Sequence, residues 1–311
     1  MAQTKLHEKP RNVLLLGSRG LLGNALLPAL RRTFDRVRCM DRAELNLANL
    51  SQIEAALDGV DFDLIVNAAG YTAVDDCEIN ERLAYLVNGD APARLAEIAS
   101  AKGARMVQFS TDYVFDGCAF LPYREDDAAE PISVYGKSKR AGEQGVLAAG
   151  GKHLVLRLSW LFGPGRTAFP DWVLRKAATD GRIGIVSDKS ACPSFAPDIA
   201  DWMIALLHSD KPKGGLVHVC NGGVCTWKEY GEEVLRCALE LGLLQEVVPV
   251  DPLKLADLTG LTAARPLYSA LDTSRFSQLT GVTPRPWQDA VAEHVRCLGS
   301  AAATTQAVKS G

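Results

Sequence analysis

Val13-Leu14-Leu15-Leu16-Gly17-Ser18-Arg19-Gly20-Leu21-Leu22-Gly23 decides the fold. Four apolar residues stop at a glycine, which predicts a short strand buried on both faces. A helical pattern follows from about Gly20 to Arg32. Between the two lies G-x-x-G-x-x-G, with glycines at 17, 20 and 23. A turn without side chains lets a pyrophosphate approach backbone N–H groups, and the helix N-terminus adds favourable partial charge. Glycine turns between strand and helix are common. The place of this one, in the first β–α unit, favours a dinucleotide over a bare tight turn.

Working outward, Val37 to Met40 predicts a second strand, ending at Asp41-Arg42. An acid there can bind the ribose 2′-hydroxyl of NAD, and an arginine can take the 2′-phosphate of NADP. Having both side by side leaves the preference open. Ser51 is the expected cap of a helix through about Leu57. Leu64-Ile65-Val66 is a third strand, ending at Asn67-Ala68-Ala69-Gly70. Ala91 to Ala101 reads as helix, Met106 to Phe109 as strand, Tyr135 to Leu147 as helix and His153 to Leu158 as an alternating strand. Strands alternating with helices require a parallel sheet with right-handed crossovers, so the fold class is α/β, a doubly wound Rossmann-type sheet. Ligands of such sheets bind beyond the carboxyl ends of strands.

Beyond Pro164 the rhythm changes to shorter segments with Gly/Pro turns. Val217 to Cys220 reads as a strand and Trp227 to Leu241 as a helix; further helices start at Asp272-Thr273-Ser274 and run over Trp287 to Cys297. The predicted organisation is a dinucleotide-binding domain over 11–163, a smaller α+β lobe mainly for substrate over 164–299, and a flexible tail over 300–311.

Composition narrows the class. The chain has 311 residues, 47% hydrophobic and 23% charged, with a net charge of -3. That balance carries no electrostatic footprint for nucleic acid or an acidic membrane. Eight cysteines form no C-x-x-C, and five histidines form no H-E-x-x-H. Reduced thiols in a cytoplasmic protein without a metal site are the expectation. The polar N-terminus lacks the apolar core of a signal peptide, and no apolar run is long enough to span a bilayer.

Two further stretches carry chemistry. Tyr135-Gly136-Lys137-Ser138-Lys139 is Y-x-x-x-K at the start of a predicted helix, so phenol and ammonium share one face. A free phenol titrates near 10, and a neighbouring ammonium stabilises the phenolate and brings proton transfer into range. Ser110-Thr111 follows the strand before that helix, where a hydroxyl can hydrogen-bond a carbonyl oxygen gaining negative charge. Asp112, acceptor-only when ionised, is read as structural.

Taken together these residues resemble the extended short-chain dehydrogenases, and most of all the dTDP-4-dehydrorhamnose reductases. The resemblance covers nearly the whole chain. It is carried by the glycine loop, Asn67-Ala68-Ala69-Gly70-Tyr71-Thr72-Ala73-Val74-Asp75, Ser110-Thr111-Asp112-Tyr113-Val114-Phe115-Asp116-Gly117, the Tyr135 motif, Leu156-Arg157-Leu158-Ser159-Trp160-Leu161-Phe162-Gly163, and Ala264-Arg265-Pro266 with Leu271-Asp272-Thr273-Ser274. It implies NAD(P)H-dependent reduction of the 4-keto group of a nucleotide-linked deoxysugar, dTDP-4-dehydrorhamnose foremost. Catalysis is implied for Thr111, Tyr135 and Lys139: Tyr135 protonates the C4 oxygen, Lys139 tunes it and holds the nicotinamide ribose, and Thr111 hydrogen-bonds the keto oxygen. Cofactor contacts are implied for Gly17, Ser18, Arg19, Gly20, Leu21, Leu22, Asp41, Arg42, Ala68, Ala69, Tyr71 and Ser110, besides Tyr135 and Lys139. Thr72, Val74 and Trp160 are implied against the sugar or the cofactor's reactive end, and Arg265 at the substrate's diphosphate, since Arg suits phosphate geometry.

The chain also departs from the family. Members often carry Asp-Gln-x-Gly-x-Pro-Thr where Asp188-Lys189-Ser190-Ala191-Cys192-Pro193-Ser194 stands. Ala25 replaces an acid that some relatives use in a metal-bound dimer, so no magnesium of that kind is expected; a homodimer stays open. Alternatives are a sugar-nucleotide epimerase of the same superfamily, or a non-catalytic NADP-binding regulatory subunit, as some family members are for methionine adenosyltransferase. Dehydration is disfavoured, because Asp112-Tyr113 stands where dehydratases carry Asp-Glu.

Overall fold

The structure, a computed structural model, describes residues 10–211 and 214–309. The N-terminal residues read above for a signal peptide lie outside it up to residue 9. The first half runs β1 (Asn12–Leu16), α1 (Leu21–Thr33), β2 (Arg36–Met40), α2 (Leu50–Leu57), β3 (Leu64–Asn67), α3 (Val74–Ile79), α4 (Glu81–Tyr85), a π-helical turn (Leu86–Asp90), α5 (Ala91–Ala101), β4 (Arg105–Thr111), α6 (Val134–Ala148) and β5 (Leu154–Leu158). The second runs β6 (Leu161–Phe162), α7 (Phe169–Thr179), β7 (Ile183–Val186), β8 (Ser190–Ala191), β9 (Ser194–Phe195), α8 (Ala196–His208), β10 (Gly215–His218), β11 (Cys225–Thr226), α9 (Trp227–Glu240), β12 (Val250–Leu253), α10 (Ser274–Thr280) and α11 (Trp287–Lys309).

Six strands form one parallel sheet in the order β10-β5-β4-β3-β1-β2. The chain leaves β1 in one direction to β2 and crosses back to β3 on its other side. That reversal opens a crevice beyond the carboxyl ends of β1 and β3. The apolar run of β1 follows from its burial: Val13 and Leu15 join the core under α1 and α8, and Leu14 and Leu16 join the core under α2 and α5. A third core, with Phe162, Val173, Ile185, Tyr230 and Trp287, holds α7, α9 and α11 around the β7–β12 pair.

Several expectations need correction. The doubly wound sheet does not end at residue 163: β10 pairs with β5, and α8 packs on α1, so residues 196–218 return from the second lobe to the first. The strand expected over Val217 to Cys220 lies at Gly215–His218. β5 does not alternate; all five residues are buried, because β4 and β10 flank it and helices cover both faces. Ser51 is inside α2, with Asn49 at the cap position and the Ser51 hydroxyl donating to Asn49 Oδ1 at 2.9 Å. Separately, helix α11 runs over Trp287–Lys309.

Candidate active site

The glycine loop is shaped by steric necessity. Gly17 has φ 75°, and a Cβ there would stand 2.6 Å from Ala69 N and 2.7 Å from the Ala68 carbonyl carbon. A Cβ on Gly23 would stand 2.1 Å from Gly17 O. The loop therefore folds tightly onto the β3 end and leaves space beside it. That space is a cavity of about 510 Å³, bounded by Gly17, Ser18, Arg19, Gly20, Asp41, Arg42, Ala69 and Tyr71 among others. Its concave backbone cradle fits a dinucleotide, whose adenosine end would lie toward β2.

Not every implied cofactor residue lines it. Leu22 points into the core, and Leu21 packs against the same cluster, because the first turn of α1 buries its apolar side. Ala68 contributes the floor beneath Gly17. Ser110 is buried beside Glu143, yet its Oγ meets no partner at hydrogen-bonding geometry. Arg166 of the second lobe lines the cavity and was not foreseen.

Asp41 is already engaged. Its Oδ1 accepts from Ala43 N at 2.9 Å and Glu44 N at 3.3 Å, and its Oδ2 pairs with Arg19 at 3.0 Å. Arg42 and Arg166 add two cations to the same rim.

Ser133 caps α6 by accepting from Gly136 N at 3.2 Å, which starts the helix just before Tyr135. Gly136 lets α6 approach the β4 loop; a Cβ would meet Tyr113 O at 2.1 Å. Tyr135 is buried, its ring edge-on to Tyr113 at 5.7 Å. Burial drives its phenol well above the ordinary value, while the adjacent Thr111 hydroxyl pulls the other way. Lys139 donates to Phe109 O at 2.6 Å, and burial lowers its ammonium to about 8. The phenol thus rests in its acid form, with a titratable cation one helical turn away.

Thr111 ends β4 and accepts from Tyr113 N at 3.2 Å. Its hydroxyl donates to Asp112 Oδ1 at 3.0 Å. Its one proton is therefore directed away from the place the sequence reading gave the keto oxygen.

The implied substrate residues lie in different surroundings, and none of them lines the glycine-loop cavity. Thr72 is exposed, and Val74 packs against the cluster that holds Tyr113 and Tyr135. Trp160 has φ 43°, a strained conformation for a bulky residue, and stacks on Tyr230 with centroids 6.2 Å apart. Its buried Nε1 has no hydrogen-bond partner. Arg265 is committed elsewhere: it grips Asp75 through Nη1 at 3.1 Å and Nη2 at 2.5 Å, and its Nη1 also donates to Ala263 O at 2.9 Å. That pairing holds the Asp75 carboxyl down at about 2. It ties α3 to the loop before Pro266, and this geometry does not support a diphosphate role.

Asn88 was missed. It sits in the π-helical turn, fully buried, and its side chain donates to Tyr71 O at 2.9 Å and Ser138 Oγ at 3.1 Å while accepting from Tyr71 N at 2.8 Å. It locks the cofactor loop to α6. A π-turn at a functional site is a recurring device, but its sequence, Leu86-Val87-Asn88-Gly89-Asp90, carries no periodic signal.

Among the described residues no cluster of His, Cys, Asp or Glu is arranged to hold a metal, and no helix is long and apolar enough to cross a membrane. The cysteines are all free.

Comparison with known proteins agrees with this geometry. The family model described as the RmlD substrate binding domain matches residues 11–299. The chain belongs to this family. Among its RmlD-family relatives, a probable dTDP-4,6-dihydroxy-2-methyloxan-3-one 4-ketoreductase of Streptomyces antibioticus is 36% identical, covering 90% of this chain and 93% of the other. The dTDP-4-dehydrorhamnose reductase of Streptomyces griseus is 35% identical, covering 92% and 93%. A crystal structure of the dTDP-4-dehydrorhamnose reductase from Bacillus anthracis in complex with NADP superposes with a TM-score of 0.83 at 29% identity, covering 91% of this chain and 98% of that one.

Proposed function

We propose that this protein is an NAD(P)H-dependent reductase of the 4-keto group of a nucleotide-linked deoxysugar, with dTDP-4-dehydrorhamnose the first substrate to test. The observation that carries the reading is the junction of Thr111, Tyr135 and Lys139 beside the glycine-loop crevice. Family membership and the named reductases among the relatives support it.

When bound, the nicotinamide supplies the hydride. The chain's own residues do the rest. Gly17 to Gly20 present backbone to the pyrophosphate. Tyr135, kept protonated by burial, gives its proton to the alkoxide forming at C4. Lys139 balances the phenolate left behind and contacts the cofactor ribose. Trp160, at the end of the first domain, and the second lobe face the sugar nucleotide.

NADPH is the preferred form on this reading. The Asp41 carboxylate is occupied by Arg19 and two backbone N–H groups, while Arg42 and Arg166 remain on the rim to meet a 2′-phosphate. A cytoplasmic location fits the free thiols. The test is loss of reduced-cofactor absorbance with the keto sugar generated in situ, for both cofactors. Tyr135→Phe should lower turnover about 10²- to 10⁴-fold while NADPH still binds; an unimpaired Phe variant overturns the assignment.

A further inference from the structure

The floor beneath Thr111 holds two buried charged side chains that take no part in the hydride or proton transfer. Asp112 is 1% exposed, directly behind the proton-transfer residues. Its side-chain oxygens collect hydroxyl protons: Thr111 Oγ1 at 3.0 Å on Oδ1, with Ser159 Oγ at 3.0 Å and Ser269 Oγ at 2.5 Å on Oδ2. Neutral hydroxyls are modest partners for a carboxylate taken out of water, so a buried cation is needed if it is to stay ionised. Lys189 is that cation. It is fully buried, donates to Pro266 O, and lies over the Tyr113 ring at 5.0 Å. It belongs to the segment 188–194, whose residues depart from the family pattern.

We infer that Lys189 is a positioning residue for proton transfer: its charge keeps Asp112 an acceptor, and Asp112 holds the Thr111 hydroxyl in one orientation beside Tyr135. This rests on Tyr135 being the proton donor. A hydroxyl has one proton to give. While Asp112 is ionised, Thr111 gives it there, and the hydroxyl beside Tyr135 is fixed in direction. If Asp112 were neutral, it would carry a proton of its own, and Thr111 would lose its fixed direction.

The neighbouring groups leave Lys189 in control. Burial pushes the Asp112 carboxyl up, and Lys189 opposes that shift. Tyr113, Tyr135 and Cys220 also feel the carboxylate, and all are raised, so none ionises near neutrality. Arg265 faces Lys189 and opposes its charge. Burial brings Lys189 itself down to about 8.

The test compares Lys189→Met, which keeps length and loses charge, with Lys189→Arg, Asp112→Asn and the double variant Asp112→Asn/Lys189→Met. Circular dichroism and NADPH binding first establish that each folds. Infrared spectra read the carboxyl without any substrate. Lys189→Met should show a protonated-carboxyl band near neutral pH, absent from wild type and from the double variant. In kinetics its turnover should fall about tenfold at neutral pH, with the acid limb of kcat/KM moved up by about one pH unit or more and activity regained above it. Lys189→Arg should restore the wild-type limb, and Asp112→Asn should abolish it. No new band, or a fall in activity equal at every pH, overturns the inference. Wild-type protein inactive on every keto sugar would instead sink the reductase reading, leaving the infrared result to judge the pair by itself.

Discussion

Adding one methyl group at Gly17 should disable the cofactor site while leaving the rest of the fold in place. In Gly17→Ala the new Cβ stands 2.6 Å from Ala69 N, 2.7 Å from Ala68 C and 2.8 Å from Ala68 O, all backbone atoms that cannot swing away. Ordinary contact begins near 3.4 Å, so the β1 and β3 loops must part by about 0.8 Å. The φ of 75° adds a left-handed cost of about 1–2 kcal/mol for alanine, and the overpacking about 1–3 kcal/mol. Parting the loops takes backbone N–H groups out of reach of the pyrophosphate. Two charge-assisted hydrogen bonds lost at about 1.5 kcal/mol each amount to about a 100-fold weaker Kd. Gly103→Ala is the control: its φ is 68°, but nothing lies within 4 Å of its Cβ. It should lose about 1–2 kcal/mol of stability and no NADPH affinity. Fluorescence titration with NADPH and thermal melts read both quantities. Wild-type affinity in Gly17→Ala, or equal weakening in both variants, would refute the steric account.

Three other outcomes follow from the site. With Lys139 lowered to about 8, its ammonium is lost as pH rises through that value, so kcat/KM should decline on the alkaline side near pH 8. Lys139→Arg, which stays charged, should carry that limb upward; a limb that stays put belongs to another group. Glu143 is fully buried against Arg157, with contacts of 2.7 and 2.8 Å, and Glu143→Ala strands a buried guanidinium. Denaturant unfolding should show a loss of about 3–5 kcal/mol, and a loss under about 1 kcal/mol would mean that water reaches Arg157. Arg42→Ala should raise the KM for NADPH about tenfold and leave that for NADH unchanged, since only the former has a 2′-phosphate. Equal effects on both cofactors would remove the assigned role.

What one-dimensional pattern determined was the local grammar. Val13 to Leu16 had to be a strand covered on both faces, because no other short element buries four successive apolar residues. The glycines at 17 and 23 announced a close backbone approach, which the distances to Ala68, Ala69 and Gly17 itself display. Tyr135 and Lys139 could be paired in advance because four residues make one helical turn. Contacts between distant segments stayed hidden, since nothing local records them. Arg265 looked like a free phosphate ligand until Asp75, far earlier in the chain, claimed it. The return of α8 and β10 to the first sheet is likewise set by packing against α1 and β5. Asp112 passed as a structural acid, and Lys189 as one residue of a divergent loop. Only folding puts Ser159, Ser269 and Lys189 around that carboxylate. A buried charge has meaning through its partners, and those partners come from separate stretches of chain that only tertiary packing brings together.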